Sequence, residues 1–149
     1  GGQTKMGFSA ADDATYSGRN LSVPANSIDN IEKSGSLARQ SSILRVWKDR
    51  HIIVTKDSLM FWYSSPTSSS PEEVLALRRA TGVRREEVAG RSNTFIVTMK
   101  GAVYPFSAPT AEDMESWIRV IGKAIVRAST TEWDETSDRL DEQQQAGER

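Results

Sequence analysis

The sequence predicts a mainly β fold of the α+β class, about seven short antiparallel strands closed by one C-terminal α-helix. Three observations carry this. Between residues 36 and 106, apolar and β-branched residues gather in short runs separated by Gly, Pro, Ser and Asp, the punctuation of strands and turns. After Pro109 the apolar period changes once, from two to about 3.6 residues, and holds to residue 128. Neither flank, 1–32 or 129–149, sustains a period. A helix that buries only one stripe needs a partner surface, so sheet and helix belong to one unit.

The elements follow in order. Ser36-Leu37-Ala38-Arg39 alternates between Gly35 and the polar Gln40-Ser41-Ser42, a short strand and a turn. Residues 48–55 (KDRHIIVT) contain three consecutive β-branched residues, Ile52, Ile53 and Val54, and form the best-specified strand. The Lys56-Asp57-Ser58 turn leads into the aromatic strand 59–63, completing a hairpin. Residues 64–73 (SSPTSSSPEE) are a loop by composition. Strands at 74–77 and 81–84 are separated by Arg78-Arg79. Residues 95–99 and 102–106 form a second hairpin around Lys100-Gly101, with Gly where positive φ is needed. Pro105 cannot donate to a ladder and predicts an edge position. Thr110 is placed to cap the helix, with Asp113 in the reciprocal position and an acidic first turn. Met114, Trp117, Ile118, Ile121 and Ile125 share one helical face. Trp117 is expected to plug the open end of the strand assembly, a structural role.

Composition removes several kinds of chemistry. The chain has 149 residues, no Cys and one His, so disulfides, a thiol nucleophile, Cys-bound zinc and a His pair for a metal are all excluded. His51 follows Arg50 on a strand and alternates away from it, which leaves no base for a nucleophile-His-acid arrangement. Glu72-Glu73 and Glu86-Glu87 are sequence neighbours in loops, a poor geometry for an acid/base pair. No Gly-rich phosphate loop is present. We therefore expect no enzyme, no cofactor and no metal. Arg78, Arg79, Arg84 and Arg85 have neither a recognition helix nor a stacking platform, so no nucleic-acid partner is expected, and they read better as solvated charges guarding a sheet edge. No apolar run reaches the roughly 18–20 residues of a membrane span, and the first twenty residues lack the pattern of a signal peptide. A cytoplasmic monomer is the expectation, the absence of Cys agreeing with a reducing compartment.

The net charge of -1 is a cancellation. Residues 33–128 carry 15 Lys and Arg against nine acids, giving +6, while 1–32 contribute -2 and 129–149 contribute -5. The organisation expected is a disordered N-terminal flank (1–32), a basic domain (33–128) and an acidic, Gln-rich tail (129–149) that is disordered or weakly helical. Residues 132–142 of that tail are expected to fold back on the basic domain and compete with its anionic partner.

Lys33-Ser34-Gly35-Ser36-Leu37, the Trp47-Lys48-Asp49-Arg50-His51-Ile52-Ile53-Val54-Thr55 strand, Leu59-Met60-Phe61-Trp62-Tyr63, the hairpin from Phe95 to Phe106 and a closing helix centred on Trp117 together resemble a pleckstrin homology (PH) domain over residues 33–128. The resemblance implies a PH-like barrel of two near-orthogonal antiparallel sheets, of four and three strands, capped at one corner by the C-terminal helix. It also implies phosphoinositide binding through a basic residue ending the first strand and a Lys/Arg-x-Arg on the second, here Arg39, Lys48 and Arg50. Arg39 replaces the more usual lysine, and Phe61 stands where the more selective inositide-binding members carry a tyrosine, so tight selectivity for one inositide is not implied.

Alternation supports the same trio independently. Lys48, Arg50, Ile52 and Val54 share a strand face, and so do Leu37 and Arg39, so the face that becomes core carries cations at its open end. Arg offers a phosphate bidentate hydrogen bonds and Lys adds a compact charge. The intervening loop carries Ile43, Leu44, Arg45 and Val46, which either enter the interfacial region of a bilayer or cap the barrel. Two functions remain open: a non-catalytic module recruiting its protein to phosphoinositide head groups on an anionic membrane, as a peripheral membrane protein, or an adaptor that binds a protein partner on the same fold.

Overall fold

The computed structural model describes residues 15–17 and 22–147. Its elements are β1 (Thr15–Ser17), β2 (Ile31–Gln40), β3 (Trp47–Thr55), β4 (Leu59–Tyr63), β5 (Glu73–Ala76), β6 (Ala80–Arg85), β7 (Thr94–Met99), β8 (Ala102–Ser107) and α1 (Ala111–Gly147). All strand pairs are antiparallel, in the order β1-β5-β4-β3-β2-β8-β7-β6. β2 belongs to both halves: it pairs along its length with β3, and at its end Ala38 and Arg39 face Ser107 and Phe106 of β8. A four-stranded sheet (β2–β5) and a three-stranded sheet (β6–β8) are thereby joined at one strand, the seven-strand and one-helix architecture the sequence predicts. β1 is an added strand on the outer edge of β5. Between β5 and β6 runs a 3-10 turn, Leu77–Arg79, and α1 packs across that turn and β6.

The inner faces close on a core of Leu37, Ile52, Val54, Trp62, Leu75, Phe95, Phe106 and the helical residues Met114, Trp117, Ile121 and Ala124. Phe106 meets Trp62 edge-on at 5.8 Å and stacks on Phe95 at 5.5 Å, geometries that suit aromatic quadrupoles. Trp117 is buried against β2. A Cβ on Gly35 would lie 3.4 Å from its Cζ2, while Lys33 Nζ sits 4.9 Å from the ring centroid and 3.7 Å from Asp113. The helix start is capped as expected, Asp113 N–H donating to Thr110 Oγ1 at 3.0 Å, but the Asp113 carboxylate turns to Lys33 instead of back to the cap.

The outer face of β3–β5 is apolar too. Ile53, Phe61, Tyr63 and Val74 form a second cluster with Ala25, and Val23, Ile28, Ile31 and Leu59 pack on it. The expected unstructured flank is corrected where it is described: Ile31 opens β2, Thr15–Ser17 form β1, and a 3-10 turn at Ala25–Ser27 seats the buried Ala25. Residues 1–14 and 18–21 lie outside the described residues. Val23, Ala25 and Ile28 follow no period because they cover a sheet face from outside the strands. Tyr63 Oη donates to Val23 O at 2.7 Å and Ala25 N–H to Ser68 O at 2.9 Å, tying the segment down.

The tail is corrected as well. α1 does not stop near residue 128 but runs unbroken to Gly147, because the chain has no Pro or Gly between Gly122 and Gly147 and is rich there in Glu, Gln, Arg and Ala, which favour helix. Residues 132–142 are thus part of α1, and the expected fold-back over the basic domain would require this helix to break. β2 is also longer than the four residues expected, since Lys33 to Gly35 need no apolar pattern to pair with Ile52–Val54. Pro105 is not on an outer strand: it pairs with Ile96 of β7 and lies one residue beyond the last β2–β8 pair, so β2 does not pair with it.

Candidate functional site

The β2–β3 hairpin brings the expected cations together. Arg39 is directly opposite Lys48, and Leu37 is opposite Arg50, so all three stand on the inner face at the open end of the barrel. Their states differ. The Arg39 guanidinium lies 5.1 Å from the Trp62 ring centroid and 3.0 Å from Glu73 Oε1, and its buried Nε has no hydrogen-bond partner. Arg50 Nε donates to Glu72 Oε1 at 2.6 Å, and its Nη1 donates to the Asp49 carbonyl at 2.8 Å. Lys48 is exposed and has no ion pair among the described residues.

Sequence reasoning missed these two carboxylates as part of the site. It placed Glu73 in a loop, whereas the residue begins β5 opposite Trp62. Glu73, Leu75 and Leu77 alternate, so the position of Glu73 on the core-facing side was legible once the strand was extended by one residue. Burial pushes the Glu73 carboxyl above its usual range, Arg39 opposes that shift, and Glu72 adds to it. Glu72 Oε2 accepts a further hydrogen bond from Ser64 Oγ at 3.1 Å. The mouth is therefore a mixed cluster, three cations against two carboxylates.

Phe61 is not part of it. It faces Ile53 across the β3–β4 ladder and stacks on Tyr63 at 6.2 Å in the outer cluster, the face opposite Arg50. A tyrosine hydroxyl at this position would point away from the cations. His51 also alternates away from Arg50, and burial lowers its basicity.

The loop between β2 and β3 is self-supported. Ser41 N–H donates to Val46 O at 2.9 Å, Arg45 N–H to Ser41 O at 3.0 Å, and Gln40 Nε2 to Arg45 O at 3.2 Å; Arg45 takes a positive φ of 55°. These bonds present the tip outward, with Ile43 89% and Leu44 76% exposed and Val46 43%. None of the three packs on either core cluster. Arg84 and Arg85, by contrast, are engaged by Glu86 at 3.4 Å and by Glu115. Among the described residues there is no cluster of His, Asp and Glu suited to a metal, and no helix is long and apolar enough to cross a membrane.

Comparison with known proteins bears out the fold. A model of the family described as PH domain matches residues 31–126. Human pleckstrin is 27% identical over 95 residues, 62% of this chain and 27% of its own length. An uncharacterized Drosophila melanogaster protein is 29% identical over 108 residues, 72% of this chain but 6% of that protein. The chain thus spans a small part of the length of these relatives. Among solved structures, the C-terminal PH domain of pleckstrin in complex with D-myo-Ins(1,2,3,5,6)P5 superposes with a TM-score of 0.58 at 27% identity, covering 64% of this chain and 95% of that domain.

Proposed function

The chain belongs to the PH domain family, a family of non-catalytic modules, and from that premise we propose that it recruits its protein to an anionic membrane surface by binding phosphoinositide head groups. The observation that carries this is a juxtaposition: the exposed Ile43–Leu44 tip projects from the same hairpin that holds Arg39, Lys48 and Arg50 at its base. Apolar side chains beside cations match a bilayer interface, where the tip leaves water while the cations meet phosphate. Lys48 is free to act as the first contact and the arginines as the bidentate ones. Similarity to a PH domain solved with an inositol pentakisphosphate supports the same ligand chemistry. The partner is then a head group on the cytoplasmic face of a membrane, and the chain acts there as a peripheral protein without a catalytic role.

Co-sedimentation with phosphoinositide-containing vesicles tests this. Lys48→Ala/Arg50→Ala should weaken binding by roughly tenfold or more, at about 1.4 kcal/mol per decade; equal binding by wild type and variant removes the proposal. One further observation favours an adaptor reading: Ile118, Gly122 and Val126 line an apolar groove on α1, with Val126 63% exposed. Capture of a defined protein partner that survives Lys48→Ala/Arg50→Ala and is lost with Val126→Glu would support that reading instead.

A further inference from the structure

We propose that Glu72 and Glu73 set the ligand threshold of the basic mouth: as internal counter-ions of Arg50 and Arg39 they admit a head group with two neighbouring phosphomonoesters and exclude one whose only phosphate is a diester. This rests on the mouth being the head-group site. The geometry supplies the argument. Both guanidinium groups are occupied, Arg39 by Glu73 at 3.0 Å and Arg50 by Glu72 at 2.6 Å, and the two acids are consecutive, Glu72 ending the β4–β5 connection and Glu73 beginning β5. Only Lys48 of the trio meets an incoming anion without first losing a partner.

A monophosphate diester, such as the head group of phosphatidylserine or unphosphorylated phosphatidylinositol, brings one negative charge on its phosphate. Reaching either arginine exchanges one carboxylate for one phosphate of equal charge and leaves a sheltered carboxylate without its counter-ion, which is unfavourable. Two phosphomonoesters bring about -1.5 to -2 each near neutral pH and three acceptor oxygens apiece, exceeding the two carboxylates they displace. Charge-assisted, bidentate contacts to Arg39 and Arg50 are then gained together. The site is ready for that exchange: Trp62 holds the Arg39 guanidinium in place, the Arg39 Nε retains an unused donor, and Glu72 keeps its existing bond from Ser64 when Arg50 leaves it.

Calorimetric titration of the full chain with glycerophosphoinositol, whose one phosphate is a diester, and with inositol 4,5-bisphosphate reads the threshold directly. Wild type should prefer the bisphosphate by at least about thirtyfold, and Glu72→Gln/Glu73→Gln should tighten the diester by roughly tenfold or more, so that the preference collapses. Repeating the comparison on vesicles bearing phosphatidylserine alone or phosphatidylinositol 4,5-bisphosphate separates a lipid from a free inositol phosphate as the source, the same collapse being expected. Glu72→Gln alone, which leaves the Arg39–Glu73 pair intact, gives an intermediate preference and serves if the double variant is unstable. Lys48-dependent binding whose preference is unchanged by these substitutions overturns the inference and leaves the proposed function standing. No binding of any inositol phosphate by any of the proteins overturns both.

Discussion

Glu73 shows how one side chain serves folding and recognition at once. It is sheltered at the start of β5 opposite Trp62, with Arg39 reaching it from β2, Lys48 and Arg50 on the same inner face on β3, and Glu72 beside it. Burial raises its carboxyl above the ordinary 4.5 in spite of Arg39. A carboxyl raised in the folded state contributes stability that is fully present below its unfolded value and is lost as pH rises through the folded one. The wild type should therefore lose stability relative to Glu73→Gln as pH increases from about 4 toward 7, because the amide copies the protonated acid and does not titrate. Thermal denaturation across that range measures the difference. A constant gap between the two melting temperatures would contradict the burial argument. The short link from this residue to function is that the charge costing stability at neutral pH is the one that screens Arg39.

At the scale of the element, the β2–β3 loop separates its own order from its exposed tip. The bonds among Gln40, Ser41, Arg45 and Val46 involve backbone and the Ser41 and Gln40 side chains, so replacing Ile43 and Leu44 leaves the loop conformation intact. Ile43→Ser/Leu44→Ser should weaken vesicle binding by roughly ten- to a hundredfold, since each apolar side chain transferred from water is worth about 1.5–3 kcal/mol when fully buried. Binding of soluble inositol phosphates and the melting temperature should not move. A parallel loss of soluble-ligand binding would mean that the tip shapes the mouth and does not touch a bilayer. This element was legible because strands announce themselves by β-branched runs and their loop by its polar ends. The helix was legible by its stripe, and β4 by its aromatics. β1 and the cover over the outer face were not, since a three-residue edge strand and a coil packed on a sheet carry no period. Yet consecutive apolar residues at Ile52–Val54 and Met60–Tyr63 already required burial on both faces. Within the site, the cations followed from alternation; their counter-ions were lost because β5 was begun one residue late.

For the molecule as a whole, the two apolar layers make the N-terminal segment part of the folded unit, and the charge distribution assigns the layers different duties. The inner core opens at the basic mouth, and the outer cluster is closed by Val23, Ala25 and Ile28. Beneath them, Ile53, Tyr63 and Val74 are essentially inaccessible, and burial pushes the Tyr63 hydroxyl up to about 12. A chain lacking residues 1–28 exposes this face and loses the Tyr63–Val23 hydrogen bond, whereas one lacking only residues 1–21 keeps both. The longer deletion should cost roughly 3 kcal/mol or more, lowering the melting temperature by more than about 10 °C. It should also bind hydrophobic dyes and associate, as contiguous exposed apolar faces do. Below its lowered melting temperature it should still bind inositol phosphates, because Arg39, Lys48 and Arg50 stand on the opposite face of the same strands. Equal stability of the two truncated chains would show that the outer cluster is closed without residues 22–28. Loss of inositol-phosphate binding by a still folded longer deletion would show that the two faces of the four-stranded sheet are coupled, a link that alternation alone does not provide.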